Sequence, residues 1–147
     1  IPWHDDGGKH HVEVTIDRPG GRGDVSNSHV IWQVNTGAPY ISSLVYDGGL
    51  LYMANDVGVL TCADMKTGER VWQTRLDGVF FASPVAADGK IYFLSQTGET
   101  FVVKAGRTPD ILARSDLAER FVASPAISNG RIFLRSDDRV FAIGKGR

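Results

Sequence analysis

A chain of 147 residues, 42% of them hydrophobic and 22% charged, has the composition of one globular domain with a well-solvated surface. Its formal net charge of −1 argues against a nucleic-acid-binding protein, which usually carries a basic excess. No apolar run approaches the roughly 20 residues that a membrane-spanning helix needs. Cys62 is the only cysteine, so an intrachain disulfide is excluded, and its place in an alternating segment predicts a buried, inert thiol.

The first residues, 1–10, are polar and rich in glycine, which predicts a loop or a frayed end. Side chains that can bind zinc or nickel occur at this end of the chain: His4, Asp5, Asp6, His10 and His11. Because their spacing fits no closed site, we expect solvated residues here, with adventitious metal binding as the alternative.

Two alternating segments follow, 11–17 and 30–34, and each predicts a strand with one face in water. Further along, a short sequence recurs: Ala82-Ser83-Pro84-Val85 returns as Ala123-Ser124-Pro125-Ala126 and, in altered form, precedes them as Ser42-Ser43-Leu44-Val45. Each copy leads into a glycine turn and an aromatic strand, with a period of about 40 residues, which is typical of propeller blades.

Short strands separated by glycine turns, with no apolar stripe of helical period, predict an all-β chain. The predicted strands of the repeats are 41–46, 50–54, 59–63 and 70–75, then 81–86, 91–95, 100–104 and 110–115, then 121–127, 131–135 and 139–143. Together with the two earlier strands they predict a partial β-propeller of four-stranded antiparallel blades, about three and a quarter blades in all.

We treat 1–147 as a single propeller segment. Its predicted parts are a loop at 1–10, a partial blade at 11–34, blades at 35–75 and 76–115, and a three-stranded terminal blade at 116–147. Because a propeller usually closes with about four to eight blades, we expect a piece of a longer protein or, alternatively, copies that combine to close a ring. Open blade faces at both ends predict protein partners or self-association.

One segment carries a family resemblance: Cys62-Ala63-Asp64-Met65-Lys66-Thr67-Gly68-Glu69-Arg70-Val71-Trp72 resembles the tryptophan-docking repeat of the PQQ-like β-propellers. Asp64, Thr67, Gly68 and Trp72 match its motif, and Trp32 stands in the same place one blade earlier. The resemblance implies that the tryptophan packs between blades while Asp64 and Thr67-Gly68 shape a turn. We expect Trp72 to lie over that turn, with its ring N–H bonded to a backbone carbonyl.

The next blade departs from this motif. Lys104-Ala105-Gly106-Arg107 replaces the turn sequence, and Leu112 stands where a tryptophan would fall, so we expect a smaller buried contact there.

The resemblance implies two kinds of protein: quinoprotein dehydrogenases, which bind PQQ and calcium in the central funnel, and scaffolds such as the lipoprotein of the outer-membrane assembly machine. The adjacent cysteine pair common in the dehydrogenases is absent, and no residue maps onto their calcium ligands. We therefore expect a scaffold, or a platform that binds ligands or proteins, that is not an enzyme and needs no cofactor. The alternatives are a dehydrogenase fragment and a carbohydrate- or peptide-binding rim. The resemblance also implies an extracytoplasmic bacterial location, in the periplasm or at the outer membrane.

Most aromatic residues recur at equivalent strand positions, which predicts packing between blades. Tyr40, Phe80 and Phe81 precede the first strands of their blades, so they are the candidates for contacts at one rim.

Overall fold

The structure is a computed structural model that describes residues 13–144. Within that range the regular elements are β-strands, with no helix. In chain order they are β1 (Val14–Asp17), β2 (Val30–Val34), β3 (Val45–Asp47), β4 (Leu50–Ala54), β5 (Val59–Asp64), β6 (Arg70–Arg75), β7 (Val85–Ala87), β8 (Lys90–Leu94), β9 (Glu99–Lys104), β10 (Ile111–Asp116), β11 (Ala126–Ser128), β12 (Arg131–Arg135) and β13 (Val140–Gly144).

These strands form four antiparallel sheets, each built from consecutive strands. The pair β1–β2 is followed by two four-stranded sheets, β3–β6 and β7–β10, and then by the three-stranded sheet β11–β13. The prediction of an all-β chain made of four-stranded antiparallel blades is confirmed. We call β3–β6 the first full blade, β7–β10 the second, and β11–β13 the third sheet.

In the two full blades and the third sheet, the first hairpin turns on two residues with positive φ. They are Gly48-Gly49 (57° and 87°), Asp88-Gly89 (50° and 67°) and Asn129-Gly130 (50° and 70°). A two-residue turn of this kind matches the twist of the strands and favours Asn, Asp and Gly, which tolerate positive φ. The turn chemistry therefore places β3 against β4, β7 against β8 and β11 against β12.

The first strand of each repeat is shorter than predicted. The predicted strands 41–46, 81–86 and 121–127 are wrong in their first part, because β3, β7 and β11 contain three residues each. The preceding residues make other bonds: the Ser42 hydroxyl donates to the Ala54 carbonyl at 2.8 Å. Pro84 and Pro125 have no N–H to offer to a sheet. The predicted loop at 1–10 and the first residues of the predicted strand 11–17 lie outside the described residues.

The hydrophobic core lies between successive sheets. The largest cluster joins the first and second full blades and includes Tyr52, Leu60, Ile91 and Phe93. A second cluster joins the second blade to the third sheet around Phe121 and Leu134. A third packs β1–β2 on the first blade through Val14, Met53 and Ala63, with Trp32 against it. Each sheet is thus stabilised mainly by apolar burial against its neighbour.

Candidate functional site

Trp32 connects the β1–β2 pair to the first full blade, and Trp72 connects the first full blade to the second. The Trp32 ring nitrogen Nε1 donates to the Met65 carbonyl at 2.9 Å, and Trp72 Nε1 donates to the Gly106 carbonyl at 3.0 Å. Trp72 is 7% exposed, so most of its apolar area is buried. The Trp72 indole therefore combines a large buried area with a satisfied polar atom, whereas Trp32 makes the same kind of bond from a partly buried position.

The position predicted for Trp72 is wrong in one respect, because the indole does not lie over Thr67-Gly68 of its own blade. Trp32 covers that turn: a Cβ added to Gly68 would lie 2.6 Å from Cδ2 of its ring. Each indole contacts the sheet that follows its own sheet in the chain. Trp72 accordingly contacts the turn of the second blade at Gly106.

Both backbone polar groups of Gly106 bond to side chains of the first blade. Its N–H donates to the Tyr52 hydroxyl at 2.8 Å, while its carbonyl accepts the Trp72 bond. The Tyr52 and Trp72 rings lie 6.0 Å apart between centroids. Sequence reasoning missed Tyr52 as part of this contact, because the segment around Gly106 no longer resembles the family turn.

Asp64 and Thr67 shape the turn that Trp32 covers. The Asp64 carboxylate accepts the Lys66 N–H at 3.0 Å, and the Thr67 hydroxyl accepts the Glu69 N–H at 3.2 Å. The Lys66 backbone bond lowers the pKa of Asp64, and hydrogen bonding to Arg107 lowers it further. That carboxylate thus stays ionised and holds the turn.

Leu112 is not buried as predicted. It is 51% exposed on β10, a strand whose residues are all exposed. The contact that Trp32 and Trp72 make has no counterpart at Leu112 within residues 13–144.

The thiol of Cys62 is fully buried, as predicted, and is a poor candidate for chemistry. Burial raises its pKa from 9.0 to about 11, since the low-dielectric interior disfavours the thiolate. The thiolate is the reactive form, so a thiol with this pKa is almost entirely unreactive at neutral pH.

This pKa predicts a pH effect on stability. Between pH 9.0 and about 11 the unfolded chain loses the Cys62 proton while the folded chain retains it. The stabilisation is therefore complete below pH 9.0 and is lost as the pH rises toward 11. Urea unfolding below pH 9.0 and near pH 11 should show a larger loss for the wild type than for Cys62→Ala. Equal losses in the two proteins would contradict the assignment.

The loops of the described residues lie at two ends of the sheets. The linker rim consists of the blade-joining loops 35–44, 76–84 and 117–125 and the turns 55–58, 95–98 and 136–139. Backbone bonds connect these segments: Leu76 N–H donates to the Gly58 carbonyl at 2.9 Å, and Phe121 N–H to the Gln96 carbonyl at 3.0 Å. The opposite rim consists of 18–29, 48–49, 65–69, 88–89, 105–110 and 129–130.

The three residues predicted as rim contacts lie in different environments. Tyr40 is exposed and Phe81 is partly buried, both on the linker rim. The prediction for Phe80 is wrong: it is 1% exposed and packs on Phe101, with ring centroids 6.0 Å apart. At the position that corresponds to Phe101, the first blade has Thr61, which accepts a bond from Gln73 at 3.0 Å.

Exposed large hydrophobic side chains are distributed unevenly between the rims. In the described loops they all lie on the linker rim, each between 37% and 54% exposed: Tyr40, Ile41, Val57, Val79 and Val122. The others lie in strands: Val30, Ile31, Tyr46, Ile111, Leu112, Ile127, Val140 and Ile143. The described turns of the opposite rim contribute none.

A ladder of serines orders part of the linker rim. The Ser43 N–H donates to the Ser83 hydroxyl at 2.9 Å, and the Ser83 N–H donates to the Ser124 hydroxyl at 3.0 Å. Two residues before each serine stands an apolar residue that is exposed or partly exposed: Ile41, Phe81 and Val122. These three therefore occupy equivalent positions in successive sheets, and the ladder fixes the sheets relative to one another.

No group of three or more His, Cys, Asp or Glu side chains that could hold a metal ion occurs between residues 13 and 144. His4, Asp5, Asp6, His10 and His11 lie outside the described residues. Within the described residues, no helix is long and apolar enough to cross a membrane.

A family model described as outer membrane protein assembly factor BamB matches residues 22–109. Among solved structures, BamB from Moraxella catarrhalis has a TM-score of 0.67 and 16% sequence identity, over 78% of this chain and 36% of that one. The quinohemoprotein alcohol dehydrogenase from Comamonas testosteroni has a TM-score of 0.56 and 17% identity, over 64% and 16%. Quinohemoprotein alcohol dehydrogenase ADHIIG from Pseudomonas putida HK5 has a TM-score of 0.57 and 14% identity, also over 64% and 16%.

At these identities the structural likeness shows the propeller fold alone. The chain spans 36% or less of the length of these three structures. No curated protein matches its sequence.

Proposed function

Because the chain belongs to the family of the outer membrane protein assembly factor BamB, we propose that it is a non-catalytic β-propeller scaffold that binds other proteins. BamB is by name a protein assembly factor, and family membership supports an interaction role for this chain. The same membership supports an extracytoplasmic location, at or near the outer membrane.

The observation that carries this proposal is the uneven distribution of exposed apolar side chains. Ile41, Val57 and Val122 belong to a set that lies on the linker rim, and the opposite rim has no such residue among its described turns. Monomeric proteins rarely expose contiguous apolar patches unless the patch serves an interaction. Ile41, Phe81 and Val122 stand at equivalent positions beside the serine ladder, which holds these three apolar side chains in a fixed arrangement on the rim.

The tryptophan contacts support the scaffold part of the proposal. Asp64, Thr67 and Gly68 form a turn, and Trp32 and Trp72 each bond to a backbone carbonyl of the next blade. In our proposal these residues act as a docking motif that keeps the blades rigid. A rigid frame lowers the entropic cost of presenting loops to a partner.

Site-specific photo-cross-linking tests the proposal. A photoreactive phenylalanine is placed at Ile41 or Val122 on the linker rim, and at Thr108 or Glu69 on the opposite rim as exposed controls. In cells that express the protein, we expect protein adducts from the linker-rim positions at several times the yield of the controls. Equal adduct yields from both rims would contradict the proposal.

A further inference from the structure

The linker rim carries an excess of negative charge. Its loops and turns contain five carboxylates and two guanidinium groups, a formal charge of −3: Asp56, Asp77, Glu119, Asp137 and Asp138, with Arg120 and Arg139. The adjoining strand ends add three residues of each sign, which leaves the excess unchanged: Glu13, Glu99 and Asp116, with Arg75, Arg114 and Arg135.

Both arginines of the rim are already paired with its own carboxylates. Arg120 Nη1 lies 3.0 Å from Asp137 Oδ2, and Arg139 Nη1 lies 2.7 Å from Glu119 Oε1. The remaining charge is on Asp56, Asp77 and Asp138.

The cation near Asp77 is Arg114, and that group is engaged elsewhere. Its Nε donates to Glu99 Oε1 at 2.9 Å, and its guanidinium lies over the Phe101 ring. Asp56, Asp77 and Asp138 can thus contact a partner, whereas Arg114, Arg120 and Arg139 are each held in an ion pair.

The opposite rim differs in charge as well as in apolarity. Its described loops contain four cations and four carboxylates: Arg18, Arg22, Lys66 and Arg107, with Asp24, Glu69, Asp88 and Asp110. The two ends of the molecule therefore differ in two independent properties that both influence binding.

We propose that the linker rim binds a segment of a partner protein that carries Lys or Arg next to apolar side chains. This inference rests on the proposed function and adds the chemistry of the partner. Burial of apolar side chains would supply most of the affinity, and charge complementarity would select the partner and speed the encounter. Nucleic acids and anionic membranes would be repelled by the same charge.

Two short synthetic peptides test the inference: one alternates Leu and Lys, and its matched control alternates Leu and Glu. Backbone amide shifts of the isotope-labelled chain are recorded while each peptide is added. We expect the Leu-Lys peptide to shift the amide signals of the linker rim in a saturable manner. We also expect this binding to weaken with added salt. We expect no saturable shift with the Leu-Glu peptide.

Charge variants identify the surface that is responsible. The triple variant D56N/D77N/D138N should weaken Leu-Lys binding roughly tenfold, because the exposed charges of Asp77 and Asp138 and the partly buried charge of Asp56 are lost. The control E69Q/D88N/D110N removes as many charges from the opposite rim and should change the affinity by less than about twofold. None of the three substituted linker-rim carboxylates accepts a hydrogen bond from another described residue, so their removal should leave the fold intact.

Several results would overturn the inference. Equal binding of the Leu-Glu peptide would leave the rim as a binding surface but remove its charge selection. The inference would also be rejected if neither peptide bound, or if the opposite-rim control lost as much affinity for the Leu-Lys peptide as the triple variant. Saturable binding of phosphatidylglycerol vesicles to the rim would reject it as well. A dimer in analytical ultracentrifugation that is dissociated by Ile41→Ser would assign the rim to a second copy. The proposed function is judged separately, by the cross-linking yields, which involve no peptide.

Discussion

Trp72→Ala is expected to lower the free energy of unfolding by about 3–5 kcal/mol, the range for emptying a large buried aromatic site. The indole is 7% exposed, packs near the Tyr52 ring and bonds the Gly106 carbonyl, so its loss leaves both a cavity and an unpaired acceptor. The substitution disrupts a contact between two blades rather than within one. The first and second full blades should therefore separate more easily. Chemical denaturation followed by circular dichroism measures the change.

Two control variants separate packing from hydrogen bonding at this site. Trp72→Phe keeps much of the ring contact and loses the N–H bond, so a cost of about 1–3 kcal/mol is expected. Leu112→Ala changes the corresponding position of the second blade, where the side chain is half exposed, and should cost less than about 1 kcal/mol. If Trp72→Ala proved as mild as Leu112→Ala, the docking assignment would be wrong.

The repeating sheet could be predicted from the sequence because its signals are local. Gly48-Gly49, Asp88-Gly89 and Asn129-Gly130 are residues that adopt positive φ, and they define the hairpins without help from the rest of the chain. Alternation then assigns the strands on either side. The first residues of β3, β7 and β11 are harder to predict from the sequence. The residues before these strands make hydrogen bonds outside the sheet ladder, some of them to the neighbouring sheet, and a local pattern does not reveal such bonds.

The contacts between blades could not be predicted in the same way, because they join residues more than 30 positions apart. Trp72 matched a motif, but the motif does not state whether the indole covers its own turn or the next one. The bond to Gly106, 34 positions along the chain, decides this question. Tyr52 has no local signal for its bond to Gly106 and becomes visible only when the blades are stacked.

The linker rim illustrates the same limit for function. Phe80 and Tyr40 stand at corresponding repeat positions and were predicted to behave alike. Phe80 is buried against Phe101, whereas the first blade has Thr61 at that place, and Tyr40 is exposed. The exposed apolar set and the carboxylate excess of the rim combine five separate segments of the chain. Their common location follows from the topology and not from any one motif.

Gly58→Ala is the second substitution with a large expected effect, a loss of at least about 3 kcal/mol in unfolding free energy. Gly58 has a φ of +85°, which costs roughly 1–2 kcal/mol for alanine, and its Cβ would lie 2.3 Å from the Leu76 carbonyl oxygen. That oxygen is backbone, so the linker after the first full blade must move, and the Leu76 N–H bond to the Gly58 carbonyl moves with it. Gly89→Ala is the matched control, since its φ is +67° but nothing lies within 4 Å of the added Cβ. Gly89→Ala should then incur only the cost of holding alanine at a positive φ. Thermal and urea unfolding should therefore place its stability between those of the wild type and Gly58→Ala. Equal destabilisation by the two substitutions would show that the close approach of the linker to Gly58 contributes nothing to joining one blade to the next.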